Sequence, residues 1–151
     1  MKYLKKGFTI FELLIVIAIS SVFVYISISV FSKLSNAESL DKEASNVISY
    51  IDKAKNDSVN SLNFEEHGVK FASSTVTIFY GKNYSGSATS SVYTLAGQDT
   101  ISNVSFLNAS TTIYFNKLTG EPSSTGTITI SRTDGTQKVI AIYATGYIEI
   151  Q

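Results

Sequence analysis

The sequence contains no cysteine and no tryptophan, and its 151 residues include one proline, one methionine and one histidine. Without cysteine, neither a disulfide bond nor a thiolate metal site is available, so burial and hydrogen bonding must stabilise the fold. Net charge is also absent, because 12 basic residues balance 12 acidic ones. No overall electrostatic field therefore favours nucleic acid or an anionic surface. The length allows one domain with a core plus one extended element.

Charge is nearly absent from a long apolar stretch near the start of the chain. Between Gly7 and Ser32 the one charged residue is Glu12. A hydrocarbon core of about 30 Å needs about 20 helical residues, so this stretch is long enough to span a membrane. Three lysines precede it, namely Lys2, Lys5 and Lys6. Because positive residues keep their end of a membrane helix cytoplasmic, the rest of the chain is predicted to be exported.

Two simpler interpretations of this stretch fit less well. A secretory signal peptide has a shorter apolar run and a small-residue cleavage site, whereas bulky Val30 and Phe31 follow here. A plain signal anchor explains the lysines and the length but not Glu12, whose charge would cost about 2.5–3.5 kcal/mol at the centre of a membrane helix. Glu12 is therefore interpreted as a functional residue that needs a partner.

The residues KKGFTIFELL, from Lys5 to Leu14, resemble the class III signal of type IV pilins and type II secretion pseudopilins. The resemblance implies cleavage between Gly7 and Phe8 and N-methylation of Phe8. Glu12 then becomes the acid at the fifth position of the mature chain, which is the hallmark of that family. The lysines at positions 2, 5 and 6 become the positive charges of the leader.

The same resemblance implies a set of partners. These are the prepilin peptidase and N-methyltransferase, other pilin or pseudopilin subunits, an inner-membrane assembly platform and membrane lipid. Cleavage would create a positive α-amine on Phe8, which a carboxylate of a neighbouring subunit could pair with in a low-dielectric helix bundle. We therefore hypothesise that Glu12 pairs with the Phe8 amine of a neighbour and fixes the register between subunits.

Beyond Phe31, apolar residues recur with a period close to 3.6, at positions 34, 37, 40, 44, 47, 48, 51, 54, 59 and 62. This pattern predicts an amphipathic helix that lays its apolar stripe on a sheet, and it differs from the strict heptad of a coiled coil. Lys55 falls inside the stripe and is expected to snorkel. The charged residues predicted to lie outside the stripe are Asp41, Lys42, Glu43, Asp52, Lys53 and Asp57.

No glycine or proline interrupts residues 8–62, which predicts one helix of about 55 residues, roughly 80 Å long. Many major pilins carry a glycine and a proline in the membrane helix. Their absence here favours a pseudopilin or a minor subunit.

From residue 69 onward the apolar period changes to two, which predicts six or seven antiparallel strands separated by turn-forming segments. Asp134-Gly135 is a strong hairpin signal. A two-residue loop there would pair Ile130 with Val139 and Ile128 with Ala141, which requires both faces of the sheet to be buried. A loop of odd length would shift this register by one residue. We favour the two-residue loop.

The predicted fold class is α+β, a pilin-like ladle in which one long N-terminal helix, transmembrane in its first half and amphipathic in its second, packs on a C-terminal antiparallel β-sheet or small β-sandwich. The predicted divisions are a leader peptide at 1–7, a transmembrane and assembly helix at 8–32, its amphipathic continuation at 33–62 and an exported β domain at 69–151. The segments IYFNKLTGEPSSTGTITIS and KVIAIYATGYIEI resemble the exported domain of GspH/FimT-type minor pseudopilins.

Other residue groups do not indicate catalysis, a metal or a cofactor. Glu65, Glu66 and His67 are interpreted as a solvated connector, because one histidine beside two sequential carboxylates cannot face one point. Asp99, Asp134 and Glu149 could contribute to a calcium site, but no clustered acidic loop is present. The basic residues of the β domain are scattered, which argues against nucleic acid as a partner; they are Lys70, Lys82, Lys117, Arg132 and Lys138.

The predicted function is that of a structural subunit, not an enzyme, in a type II secretion pseudopilus or a type IV pilus, with a minor subunit favoured. A major type IV pilin and a filament-tip binding subunit for adhesion or DNA uptake remain as alternatives; the loop at residues 81–91, with Tyr84, is the candidate contact surface for adhesion. The expected location is the inner membrane as a single-pass protein with an exported C-terminal domain, and an extracytoplasmic filament after assembly.

Overall fold

The computed structural model of the chain describes residues 8–86 and 89–151. The predicted leader charges Lys2, Lys5 and Lys6, together with Gly7, lie outside the described residues. The chain divides into two compact units, Met1–Ala37 and Glu38–Gln151. The elements are helix α1 (Ile10–Val59), a 3₁₀ turn (Leu62–Phe64) and the strands β1 (His67–Phe71), β2 (Thr75–Tyr80), β3 (Thr89–Thr94), β4 (Asp99–Phe106), β5 (Thr112–Phe115), β6 (Gly126–Arg132), β7 (Gln137–Ile142) and β8 (Ile148–Ile150).

The strands form two four-stranded antiparallel sheets, with the orders β3-β2-β1-β5 and β4-β6-β7-β8. Apolar side chains from both sheets and from the second half of α1 share one core. The apolar stripe predicted for this half of the helix is confirmed from position 40 to position 54, where its five fully buried members are Leu40, Ala44, Val47, Ile51 and Ala54. The predicted stripe positions 34 and 37 lie outside the residues whose side chains are described. Antiparallel sheets covered by a helix confirm the α+β class.

The start of the β region differs from the prediction. The solvated connector proposed for residues 65–67 is wrong at His67, which is fully buried and opens strand β1. Its backbone N–H donates to the Ser58 hydroxyl at 2.8 Å, which ties the end of α1 to the strand. The segment HGVKF alternates, with His67, Val69 and Phe71 buried and Lys70 partly exposed. The predicted start of the β domain at residue 69 therefore lies inside this strand.

Helix α1 ends at Val59, three residues before the predicted end. Ser61, Asn63 and Phe64 then adopt left-handed backbone conformations with φ of 50°, 56° and 61°. Such residues reverse the chain direction after a helix, where a glycine is more usual. The predicted stripe residue Leu62 lies in this turn and is exposed, so its inclusion in the stripe is wrong.

The hairpin between β6 and β7 has the alternative register. Ile128 pairs with Ile140, and Ile130 pairs with Lys138. The loop has three residues, because the Arg132 N–H donates to the Thr136 carbonyl oxygen and the Gly135 N–H donates to the Arg132 carbonyl oxygen. Gly135 takes the left-handed position with φ of 88° that this loop requires. The pairing predicted from a two-residue loop is therefore wrong, and Ile128, Ile130, Ile140 and Ile142 all line the core.

One charged residue predicted to lie outside the apolar stripe is buried. The carboxylate of Glu43 accepts a hydrogen bond of 2.6 Å from the Tyr93 hydroxyl, and the Asn46 amide donates to the same hydroxyl at 2.9 Å. Burial, followed by the bond to Glu43, raises the pKa of Tyr93 to about 12. The hydroxyl on strand β3 makes burial of Glu43 tolerable, which the helical pattern alone does not reveal.

A second polar contact links the neighbouring strands β4 and β6 to helix α1. Arg132 donates from Nε to Oδ1 and from Nη2 to Oδ2 of Asp99, both at 2.7 Å, and Nη2 also donates to the Ser39 hydroxyl at 3.0 Å. The bonds to Asp99 raise the pKa of Arg132. Nearby, the ammonium of Lys138 lies 2.7 Å from Asp41 in a partly exposed ion pair. These contacts fix the first turns of the packed half of α1.

Candidate functional site

The candidate site is the start of α1, where Phe8 and Glu12 lie. Thr9 caps the helix, because its side-chain oxygen accepts a hydrogen bond of 3.2 Å from the Glu12 N–H and its carbonyl oxygen accepts one of 3.2 Å from Leu13. Glu12 thus occupies the third helical position in a Thr-x-x-Glu arrangement typical of a capping box. The three-residue spacing of Thr9 and Glu12 is therefore the spacing of a helix N-terminus. This capping pattern is readable in the sequence, but it did not enter the prediction.

This position has an electrostatic consequence for Glu12. A carboxylate in the first helical turn interacts favourably with the partial positive charge of the helix N-terminus, by about 0.3–1 kcal/mol at an exposed site. That gain is smaller than the cost of placing a carboxylate in lipid. Within residues 8–86 and 89–151, the Glu12 side chain forms no ion pair. The Glu12 carboxylate is therefore partly stabilised by the N-terminus of its own helix, but no positively charged side chain among the described residues pairs with it.

The surroundings of Glu12 are apolar and unpacked. Every described side chain from Phe8 to Ile28 is exposed, with Phe8 at 83% and Ile17 at 57%. The 19-residue stretch Ile10–Ile28 is long and apolar enough to cross a membrane, by its length and composition. Lipid or neighbouring apolar helices can cover such a surface, whereas water would oppose it.

Two of the serines in this stretch satisfy their hydroxyls inside the helix. Ser21 donates to the carbonyl oxygen of Ala18, and Ser27 donates to that of Phe23, each at 2.8 Å. Hydroxyls bonded to preceding carbonyl oxygens enter hydrocarbon at low cost, because no donor is left unpaired. The serines therefore do not weaken the assignment of a membrane-compatible helix.

Residues 3–24 match the family model of the prokaryotic N-terminal methylation motif. The match covers Lys5, Lys6, Gly7, Phe8, Glu12 and most of the apolar stretch. No curated protein and no solved structure matches the chain. The motif supports a protein of the type IV pilin-like class, and it marks structural pilin-type proteins rather than enzymes. With the apolar helix, it indicates membrane anchoring and an exported remainder of the chain.

The acidic residues considered for calcium are not brought together. Asp99 is buried against Arg132, whereas Asp134 lies in the hairpin loop and accepts a backbone bond from Thr136. Glu149 accepts a hydrogen bond of 2.5 Å from the Tyr143 hydroxyl. Among the described residues, no group of three potential metal ligands is found.

The five basic residues of the β region are each engaged in a contact. Arg132 pairs with Asp99 and Lys138 with Asp41. The ammonium of Lys82 lies 3.7 Å from Glu66, that of Lys117 donates to the Phe64 carbonyl oxygen at 3.0 Å, and that of Lys70 lies 4.1 Å from the centre of the Tyr84 ring. Each of these five cations therefore has a partner within the chain.

His67 is the main polar feature that sequence inspection misjudged. Both ring nitrogens are buried without a hydrogen-bond partner among the described residues, and the ring packs edge-on against Tyr80 with centroids 5.1 Å apart. Burial lowers the pKa of His67, and the nearby charges of Asp57 and Glu65 offset part of that effect. The imidazole is therefore a neutral core group, and its titration couples to the stability of the β region.

Proposed function

We propose that the chain is a structural, minor subunit of a type II secretion pseudopilus or a type IV pilus. In this proposal a prepilin peptidase removes residues 1–7, Phe8 becomes the methylated N-terminus, and the helix at 8–32 serves first as a membrane anchor and then as an assembly element. The helix continues to Val59, and the β domain that follows it is exported. The methylation motif and the exposed apolar helix behind it support this assignment.

The observation that carries the proposal is the position of Glu12 in the first turn of an apolar helix that begins at Ile10, the third residue after the predicted cut. Cleavage creates a positive amine on Phe8, at the same end of the helix as the acid. Thr9 already accepts the Glu12 N–H, and the Glu12 carboxylate forms no ion pair with the described residues. The carboxylate is thus available to a neighbour.

Pairing between subunits is expected because the Glu12 carboxylate has a lower free energy beside a positive amine than alone in lipid. Alone in lipid, Glu12 carries an uncompensated charge that costs several kcal/mol, by the order of magnitude for an ionised residue in a membrane helix. Beside the Phe8 amine of an adjacent helix, the same charge gains a strong interaction in a low-dielectric bundle. The pair therefore favours the move of the subunit from lipid into the helix bundle. It also fixes the axial offset between neighbouring helices, and setting register in this way is the best-attested role of buried charges.

The unbroken helical assignment of α1 from Ile10 to Val59 agrees with a minor subunit. Major pilins that carry glycine and proline in this segment have residues at which the helix can open, and this chain has neither. Nucleic acid stays outside the proposal, because the basic side chains of the β region are already occupied.

The proposal is tested with Glu12→Ala and Glu12→Gln in the producing cell, with Glu38→Ala as the matched control on the same helix. Both Glu12 variants should be cleaved normally but be absent from sheared filaments or pseudopili, measured by immunoblot. Glu38→Ala should be incorporated as well as the parent chain. Normal incorporation of Glu12→Ala would sink the pairing hypothesis while leaving the cleavage assignment intact.

A further inference from the structure

An open groove crosses one end of the second sheet. Its larger part, about 590 Å³, lies between the β4–β5 turn and the β5–β6 loop, and its smaller part, about 410 Å³, lies over β6 and β7. Thr125 and Ala144 line both parts, so the two parts adjoin at these residues. A long, shallow groove of this size suits an extended chain ligand better than a compact cofactor.

The polar side chains along the groove are amides, the carboxylate of Glu121 and the hydroxyls of Ser123, Ser124, Thr125 and Thr127. Asn108, Asn116 and Glu121 line the larger part, and Gln151 lines the smaller part. The Asn116 and Glu121 side chains make no hydrogen bond with the described residues, so their hydrogen-bonding capacity is available. No lysine or arginine is among the described residues that line either part. The groove therefore offers donors and acceptors for neutral polar groups but no counter-charge for an anion.

Two tyrosines form an aromatic platform beside these amides. Tyr143 lines the smaller part, and its ring stacks on that of Tyr147 with centroids 6.0 Å apart and planes tilted by 29°. The Tyr143 hydroxyl donates to Glu149 and accepts a bond from the Gln151 amide at 3.4 Å, which fixes the ring. Tyr147 remains 59% exposed, and Leu107 at the other end of the groove is 86% exposed.

The groove opens onto a sheet face with the same neutral chemistry. On the outward side of β6, Thr127, Thr129 and Ser131 succeed one another at every second position. Ser102 on β4 bonds to the Ser131 hydroxyl at 2.6 Å and to the Thr129 carbonyl oxygen at 3.3 Å. This face extends the uncharged, hydroxyl-rich surface away from the groove.

We propose that the groove binds a neutral oligosaccharide. A sugar ring presents hydroxyls that amide and carboxylate groups bond in pairs, and a C–H face that packs on an aromatic ring, whose face is electron-rich. Asn116 and Glu121 in the larger part supply the polar contacts, and Tyr143 in the smaller part, stacked on Tyr147, supplies the aromatic one. A phosphorylated or sulfated chain would instead meet the carboxylate of Glu121 without a lining cation. The site belongs to the β region alone, so it does not depend on assembly.

The test uses the full chain in a zwitterionic detergent without a sugar headgroup, since a maltoside would compete for the groove. Cello-, chito-, malto- and galacto-oligosaccharides are titrated by saturation-transfer NMR, with a heparin oligosaccharide as the anionic comparison. At least one neutral series should bind, and the heparin oligosaccharide should not. Tyr147→Ala should weaken that binding about tenfold, whereas Tyr147→Phe should retain it.

Two further variants separate the groove from other surfaces. Asn116→Ala removes a polar contact without touching the tyrosine pair and should also weaken binding several-fold. Tyr84→Ala lies outside the groove and should leave the affinity unchanged. Absence of binding to every neutral series, preference for the heparin oligosaccharide, or equal affinity of the parent chain, Tyr147→Ala and Asn116→Ala would overturn the proposal.

Discussion

The two halves of helix α1 are both rich in apolar residues, yet they use them differently. Between residues 10 and 28 the apolar side chains surround the helix and are exposed, whereas from Leu40 onward they form one stripe that the sheets bury. No described side chain from Phe8 to Ile28 is buried. The number of apolar residues therefore does not show whether a helix packs against the rest of its own chain. The distribution of those residues around the helix axis does show it.

The two halves also differ in how they hold an acid. Glu43 is buried in the second half, but the Tyr93 hydroxyl bonds its carboxylate within the chain. Glu12 lies in the first half, with a helix N-terminus as its local support and no ion pair to the described residues. An acid that is satisfied internally stabilises the fold, whereas one placed in apolar surroundings without a counter-charge requires an external partner.

The largest predicted effect concerns the polar contact at the start of the packed half. Arg132→Ala leaves Asp99 buried without its bidentate partner, which should lower the free energy of unfolding by about 3–5 kcal/mol. Urea unfolding of the full chain in detergent, followed by the near-UV circular dichroism of the tyrosines, measures this. Lys138→Ala is the control, because its ion pair with Asp41 is partly exposed and should contribute less than about 1 kcal/mol. Equal effects of the two variants would contradict the account.

A matched pair of isoleucines compares the two halves directly. Ile51→Ala removes a fully buried side chain and should cost about 2–5 kcal/mol in the same unfolding measurement. Ile17→Ala changes a side chain that is 57% exposed in the first half and should leave the unfolding midpoint of the β region unaltered. If Ile17→Ala destabilised the β region as strongly as Ile51→Ala, the division into a packed half and an unpacked half would be wrong.

The internal satisfaction of Glu43 is tested by Tyr93→Phe. This variant keeps the ring but removes the hydroxyl, so the carboxylate loses its 2.6 Å bond and keeps only the Ala96 N–H at 3.5 Å. The loss should amount to about 1–3 kcal/mol of unfolding free energy. Tyr84→Phe, a hydroxyl deletion in the loop between β2 and β3, serves as the control and should be close to neutral. A neutral Tyr93→Phe would mean that Glu43 does not depend on this bond.

The smallest predicted effect is a pH dependence due to His67. Burial lowers its pKa in the folded state below the ordinary value of 6.5, so the unfolded chain binds more protons just below that value. Stability should therefore be complete above pH 6.5 and decline as the pH falls from 6.5 through the folded pKa, by at most about 1.4 kcal/mol per pH unit. Unfolding midpoints between pH 7.5 and 5 measure the slope. The His67→Phe variant should show a smaller slope of stability against pH. If the slope of this variant equals that of the parent chain, other groups cause the pH dependence.

Much of the helix and of the candidate site could be predicted from the sequence, because both depend on local spacing. The stripe from Leu40 to Ala54 follows the helical period, and Glu12 follows Phe8 at a fixed offset. Contacts between distant segments could not be predicted in this way. Burial of Glu43 depends on Tyr93, 50 positions away, and the hairpin register depends on a three-residue loop that the dipeptide Asp-Gly does not specify.

The chemistry of the chain's N-terminus in the membrane tests the account most directly. Intact mass spectrometry and N-terminal sequencing of the protein extracted from membranes of cells with an active prepilin peptidase would identify the first residue. The account predicts a chain that begins at Phe8 and carries one methyl group on its amine. A chain that begins at Met1 in those cells would contradict the account.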